Sequence, residues 1–408
     1  MNALAINGGR PIRTKPFPKW PIHDARDVAA VTAVLESGEW WFGEKVAEFQ
    51  RRFAAFHEAK YGVAVANGSV AIEVALKAAG VQPGDEVIVP PLTFVATATA
   101  VLNIGAIPVF ADIEPQSLGL DPAEAAKVIG PRTKVILPVH LGGVAPNMDD
   151  ILALAREHGL VVVEDAAQAH GSEWRGKRVG ALGTAGTFSF QQSKNLTAGE
   201  GGIVLTNNPE VHELAYAYHN VGRKLQSAFY EHAVLGTNYR MTEMQAALLL
   251  VQMERMEEQM KRRDDNVHYL FDQVRQIEGL QPVAGSDGCT RCSWFVVRIL
   301  FDPAVYSGIT KPRFCAALRA EGIPANESYT TPLYALDVFK NIRETAPLAY
   351  EAGGRRLDYS TVRCPVAEKL GATYISFHHS AFLGDRSDMD DIAAALRKVY
   401  EHRHELAG

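Results

Sequence analysis

Seven short apolar runs with helical patterns between them constrain this chain more than any other feature. The runs are YGVAVA (61–66), DEVIVP (85–90), IPVFAD (107–112), TKVILPVH (133–140), LVVVED (160–165), GTFSFQ (186–191) and GIVLTN (202–207). Segments such as VAIEVALKAAG and MDDILALAREHG lie between them and repeat apolar residues at helical spacing. This alternation predicts an α/β fold with a mostly parallel sheet and helices on both faces. Ligands of such sheets sit at the carboxyl ends of the strands.

The pattern changes near Thr242. From there to Ile277 the chain reads as one long helix, rich in good helix formers. Residues Gly279 to Gly288 are loop-like. The strand SWFVVRILF and the helix KPRFCAALRAEG beyond them suggest a smaller α/β domain. A chain of 408 residues accommodates two or three domains of about 100–200 residues each. The expected division is a large domain with an N-terminal arm over 1–250, then a linking helix and small C-terminal domain over 251–408.

Composition excludes several classes. Hydrophobic residues make up 47% and charged residues 22%, so a large core is available. A net charge of −6 supplies no basic field for nucleic acid or anionic membranes. Four cysteines are too few for a secreted disulfide scaffold and suggest a reducing compartment. The N-terminus lacks the long apolar core of a secretory signal. The stretch from Val87 to Ala111 has no charged residue and is long enough to span a bilayer. Pro90, Pro91, Asn103, Gly105 and Pro108 interrupt it, so it reads better as strand, helix and strand. The expected location is the cytoplasm.

Three strand ends carry chemistry. Asn67-Gly68-Ser69 follows the first strand and opens a helix. The free N–H groups there make an anion site to which Ser69 adds a hydroxyl; a plain N-cap serine is the alternative. Glu164-Asp165 ends the run LVVV. An ionised Asp165 buried there needs a cationic partner, such as a protonated pyridine nitrogen, unless it only caps a helix. Lys194 follows the run ending in Ser189 and precedes a glycine-rich loop. A buried lysine amine with a lowered pKa can carry a Schiff base, although solitary lysines mostly lie at the surface. With Phe94 as an aromatic for ring stacking, the set supplies what pyridoxal 5′-phosphate requires.

These residues resemble the DegT/DnrJ/EryC1/StrS aminotransferases, fold-type I enzymes that use pyridoxal phosphate. The matching runs include ANGSVAIEVAL, GDEVIVPPLTFVATATAV, VVVEDAAQAHGS, GTFSFQQSKNLTAGEGGIVLTNN and GTNYRMTEMQAALLLVQ, between Ala66 and Gln252. The resemblance implies that Lys194 holds the cofactor and moves the proton. Asp165 pairs with its ring nitrogen and Gln168 bonds its ring hydroxyl. Phe94 stacks on its face. Gly68, Ser69 and Ser189 hold its phosphate, joined by Asn238 from the second subunit of a homodimer. An amino donor, L-glutamine or L-glutamate, would then convert the cofactor before a keto substrate accepts the amino group. Related dehydratases carry histidine at the lysine position, so Lys194 favours transamination. No metal is expected.

The ketone is harder to read. Members acting on nucleotide-linked ketosugars commonly carry a pattern like Tyr-x-x-Pro-Leu-His, and here Tyr334 stands in the histidine place. The segments around Trp41 and His378, with the opening NGGRPIRTKPFPKWP, look more like members that aminate cyclitol ketones or make aminohydroxybenzoate. Trp41, Tyr334 and His378 are therefore candidate hydrogen-bond donors to a polyol ketone; interface packing and loop roles are the alternative. The reading is an aminotransferase on a keto-cyclitol or ketosugar in secondary metabolism. Rival readings are a nucleotide-ketosugar aminotransferase, an aminohydroxybenzoate synthase-like enzyme and a non-catalytic cofactor-binding regulator. Cys289-Thr290-Arg291-Cys292 lacks a second pair to complete a zinc site and reads as ordinary thiols. His140 reads as structural, and Lys261-Arg262-Arg263 as a solvated helix face.

Overall fold

All seven apolar runs become strands of one sheet in the computed structural model, which describes residues 3–228, 230–352 and 357–406. In chain order they begin with β1 (Tyr61–Val65), β2 (Glu86–Val89), β3 (Ile107–Phe110), β4 (Thr133–Ile136) and β5 (Val161–Asp165). A small hairpin, β6 (Glu173–Trp174) and β7 (Lys177–Arg178), precedes β8 (Ala185–Ser189) and β9 (Gly202–Thr206). The sheet order is β1-β9-β8-β5-β4-β2-β3. Only β9 runs against its neighbours; the other pairings are parallel.

The continuous apolar runs follow from burial on both faces. Val63, Val65, Val87, Val89, Val135 and Val163 pack into one core layer. Their neighbours Ala64, Ile88, Ile136 and Val162 pack into the layer on the opposite face. Successive side chains point to opposite faces, so a sheet covered on both sides needs an apolar residue at nearly every position.

The helices include α1 (Ala25–Ser37), α2 (Glu44–Phe56), α3 (Gly68–Ala78), α4 (Ala96–Asn103), α5 (Pro122–Lys127), α6 (Met148–Glu157) and α7 (Pro209–His219). The stretch expected as one helix from Thr242 is two: α8 (Glu243–Glu254) and α9 (Met256–Val274). Thr242 and Gln245 form a reciprocal cap that starts α8. No proline or glycine marks the break at Arg255. It falls where the Arg255 guanidinium reaches Asp24 and Asp27 at the start of α1, each at 2.7 Å.

Beyond α9 the chain builds a four-stranded antiparallel sheet from β10 (Leu280–Pro282), β12 (Val296–Phe301), β13 (Ala325–Asn326) and β14 (Tyr374–His378). Its core includes Val297, Ile299, Phe314 from α10 (Lys311–Ala320), Ile375 and Phe377. The intervening β11 (Cys289–Arg291) pairs with β6 instead. Among the described residues no helix is long and apolar enough to cross a membrane. The uncharged stretch from Val87 folds as β2, α4 and β3.

One register point matters for the site. Gly202 at the start of β9 lies opposite both Val65 on β1 and Ser189 on β8. A Cβ there would fall 2.4 Å from the Asn67 carbonyl oxygen, so only glycine fits between those strand ends.

Candidate active site

The carboxyl ends of β1, β2, β5 and β8 open onto one cavity of about 730 Å³. Asn67, Gly68 and Ser69 enter it after β1, Thr93 and Phe94 after β2, and Asp165 and Gln168 at the end of β5. Ser189 and Lys194 enter after β8, with Glu200 from the glycine-rich loop. Phe295 and Tyr329, from turns beside the small sheet, close the opposite side.

The turn after β1 is built for close approach. Asn67, rather than Ser69, caps α3: its side-chain oxygen accepts from the Val70 N–H at 3.1 Å. Ser69 lies in the first turn of the helix and is free of the capping role. A Cβ on Gly68 would come within 2.6 Å of the Ser189 Cβ, so the turn sits directly against the end of β8. The first residues of α3, whose N–H groups lack helical partners, line the same cavity as the hydroxyl-bearing Ser69 and Ser189.

The carboxylate pair on β5 divides by face. Glu164 is fully buried and accepts from His140 Nε2 at 2.9 Å, the Gly180 N–H at 2.7 Å, and the Leu182 and Gly183 N–H groups at 2.8 Å. It fixes a loop, with His140 bonded to it through Nε2 while the buried Nδ1 has no partner among the described residues. Asp165 points to the cavity. Its Oδ2 accepts from Thr97 Oγ1 at 2.8 Å, and its Oδ1 from the Ala167 N–H at 3.1 Å. Thr97 in turn meets Thr93, with 3.2 Å between the hydroxyl oxygens. Burial raises the Asp165 carboxyl pKa; the Thr97 hydroxyl, the Ala167 amide and the Lys194 charge pull it back down.

Lys194 stands across from Asp165. Its Nζ lies 4.3 Å from the centre of the Phe295 ring. Burial brings its amine down to about 8, with Asp165 and Glu200 opposing that shift. Such an amine is partly neutral near neutral pH, the state in which it is nucleophilic and basic. Gln168 is oriented at both ends: its Oε1 accepts from the Gly142 N–H at 2.7 Å, and its Nε2 donates to the Tyr329 hydroxyl at 3.2 Å.

The candidate substrate residues fare differently. Tyr334 is buried; its hydroxyl donates to Glu368 at 2.6 Å and accepts from the Cys364 N–H at 3.1 Å. Packing against Phe110 turns it into the core, which corrects the expectation that it faces a substrate. His378 also departs from that expectation. One ring nitrogen lies 2.9 Å from Ser380 Oγ and the other 3.1 Å from the Ser193 carbonyl, so the ring braces the main chain behind Lys194. Trp41 is 60% exposed, beneath the Arg240 guanidinium, and outside the cavity of its own chain. Asn238 is likewise exposed, bridged to Asn220.

Sequence reasoning missed Thr97, Phe295, Tyr329 and Glu200. Thr97 sits in the first turn of α4, which begins at Ala96; Thr93 lies before the helix, so their spacing of four offers no helical periodicity to read. Nothing local marks Phe295, and Tyr329 stands out only as the first residue of the Tyr-x-x-Pro-Leu pattern; folding of the small sheet brings both to the cavity.

The sheet, the strand-end cavity and its lysine–aspartate pair define a fold-type I aminotransferase. The match to the DegT/DnrJ/EryC1/StrS aminotransferase family spans residues 21–397, and the chain belongs to that family of pyridoxal-phosphate-dependent enzymes. It is 37% identical over 420 residues to the L-glutamine:2-deoxy-scyllo-inosose aminotransferase of Streptoalloteichus tenebrarius, covering 99% of each chain. It is 38% identical over 426 residues to the protein of the same name from Micromonospora echinospora, covering 100% of each. The crystal structure of 3-amino-5-hydroxybenzoic acid synthase superposes with a TM-score of 0.84 at 34% identity, covering 94% of this chain and 98% of that one.

Proposed function

We propose that this enzyme moves an amino group from L-glutamine to a keto-cyclitol of the scyllo-inosose kind, with pyridoxal 5′-phosphate as cofactor. The observation that carries the reading is one cavity holding Lys194, Asp165 and the Asn67–Ser69 turn together. The names of the two relatives, at 37% and 38% identity over nearly the whole chain, support the donor and the class of acceptor.

The residues fit the cofactor. A buried carboxylate with a charge to balance, a glycine turn that admits no Cβ, and a half-exposed Phe94 ring on the cavity wall match a pyridinium, a phosphate and a flat ring. In this reading Asp165 keeps a proton on the ring nitrogen, Gln168 bonds the ring hydroxyl, and Gly68, Ser69 and Ser189 hold the phosphate. When bound, the cofactor supplies an electron sink that makes the donor Cα–H acidic. Lys194 Nζ would take that proton from Cα and deliver it within the cavity. Phe295 over Lys194 and Tyr329 beside Gln168 keep bulk water from the amine.

Asn238 and Trp41 lie on the outer surface of their own chain. We assign Asn238 to the phosphate in a second copy's cavity, in a homodimer, with Trp41 on the same surface. The division into a cofactor-holding part over 1–250 and a closing part over 251–408 belongs to the same proposal.

The test is spectroscopic. Wild type and Lys194→Ala are loaded with pyridoxal phosphate and given L-glutamine, then 2-deoxy-scyllo-inosose or a nucleotide-linked ketosugar. The wild type is expected to show a visible band that L-glutamine bleaches and only the cyclitol restores. Restoration by the nucleotide sugar alone would overturn the acceptor assignment, and failure to take up cofactor would overturn the site.

A further inference from the structure

The mechanism uses neither thiol of the pair Cys289 and Cys292, yet the fold brings their sulfur atoms to 3.2 Å. Both are free thiols. Cys289 is half-buried at the start of β11, a strand whose register with β6 shifts between Cys289 and Arg291. Cys292 is buried. Among the described residues, no group of three or more His, Cys, Asp or Glu is placed to hold a metal ion. The geometry therefore suits dithiol chemistry rather than metal ligation.

The pair is joined to the cavity by the next three residues. The Ser293 hydroxyl donates to the Gln168 carbonyl at 2.9 Å, and its carbonyl accepts from Asn195 Nδ2 at 2.8 Å. Its N–H donates to Ser172 Oγ at 3.0 Å. Phe295, two residues on, is the ring over Lys194. Gln168 and Asn195 each adjoin the site, and both are tied to the residue that follows Cys292.

We propose that Cys289 and Cys292 form a reversible disulfide by exchange with small-molecule disulfides, and that its closure disturbs the Phe295 wall of the cavity. The contact with Cys292 lowers the Cys289 thiol below its ordinary pKa, and the same contact, with burial, raises Cys292. Cys289 is thus the more exposed and more readily ionised of the two. Its thiolate attacks one sulfur of glutathione disulfide and releases one glutathione thiolate. Cys292 then loses its proton and attacks the Cys289 side of the mixed disulfide, releasing the second glutathione. Two protein thiols are oxidised and one glutathione disulfide is reduced to two thiols. A disulfide has sulfurs about 2.05 Å apart, so closure draws the pair together by about 1.1 Å. Displacements near 1 Å can slow an enzyme by up to about 100-fold, and here about tenfold is expected.

The experiment incubates the full-length holoenzyme with oxidised or reduced glutathione, maps the thiols by alkylation and mass spectrometry, and measures amino transfer. Expected are a 289–292 disulfide in the wild type, about tenfold slower turnover, and recovery of both with dithiothreitol. Cys292→Ser should stop at a glutathione adduct on Cys289, and Cys289→Ser should keep its rate under oxidant. Two free thiols after oxidation, or a disulfide with unchanged turnover, would overturn the proposal. The mass readout does not depend on the acceptor, so it stands or falls apart from the functional reading.

Discussion

Replacing Thr97 with valine removes one hydrogen bond of 2.8 Å to Asp165 while keeping the shape of the side chain. Thr97 and Asp165 are both buried, so water cannot substitute for the lost hydroxyl. A hydrogen bond to a charged group contributes about 1.5–3 kcal/mol. Losing it raises the Asp165 pKa further. The sign follows from the existing balance: burial already raises this carboxyl, and the Thr97 hydroxyl is the strongest of the groups pulling it down. Without it, Asp165 takes up a proton at higher pH, and the ring nitrogen loses its counter-charge. Thr97→Val should therefore lower kcat/KM for L-glutamine by about 10–100-fold at neutral pH. The acid limb of the pH profile should move upward. Thr97→Ser keeps the hydroxyl and should retain most of the activity. The assay is a rapid-mixing half-reaction with L-glutamine across pH 5–10. A valine variant within twofold of wild type, with its acid limb unmoved, would refute the reasoning.

Three further outcomes are expected. Capture of added pyridoxal phosphate by the apoprotein should quicken with pH around a midpoint near 8, because Lys194 is protonated below that value and neutral above it; a midpoint near the ordinary 10.5 would contradict the burial argument. Gly68→Ala should weaken cofactor binding by more than about tenfold, measured by absorbance titration, since its Cβ would meet Ser189 at 2.6 Å. Tyr334→Phe strips the hydroxyl from a core hydrogen-bond pair and should cost about 1 kcal/mol in a denaturant melt, with KM for the ketone unchanged.

Much of this was legible in the sequence because strand and site share a cause. A strand buried on both faces shows as an unbroken apolar run, and its carboxyl end is where polar chemistry must begin. Asp165, Ser189 and Lys194 stand out for that reason. Glu164 and Asp165 look alike in sequence, and only the strand's alternation shows that one clamps a loop while the other faces the cavity. Tyr334 misled because the motif position gives no direction for the side chain; packing against Phe110 decides it. The break at Arg255 was invisible, since its partners Asp24 and Asp27 lie more than two hundred residues away in the chain. Phe295 was hidden, and Tyr329 was visible only as a motif residue, because the small sheet delivers both to the cavity from a distance.

The double register of Gly202 has a consequence for how such enzymes diversify. The turn after β1 and the arm carrying Lys194 are spaced by main-chain ladders that meet at one residue without a side chain. Their separation is therefore a property of the backbone and owes little to the identity of the surrounding side chains. On the proposed reading, walls such as Phe295, Tyr329 and Glu200 are free to vary without altering the distance between the turn after β1 and the Lys194 amine. Selection can then explore new acceptors on the rim while the reaction geometry is inherited intact.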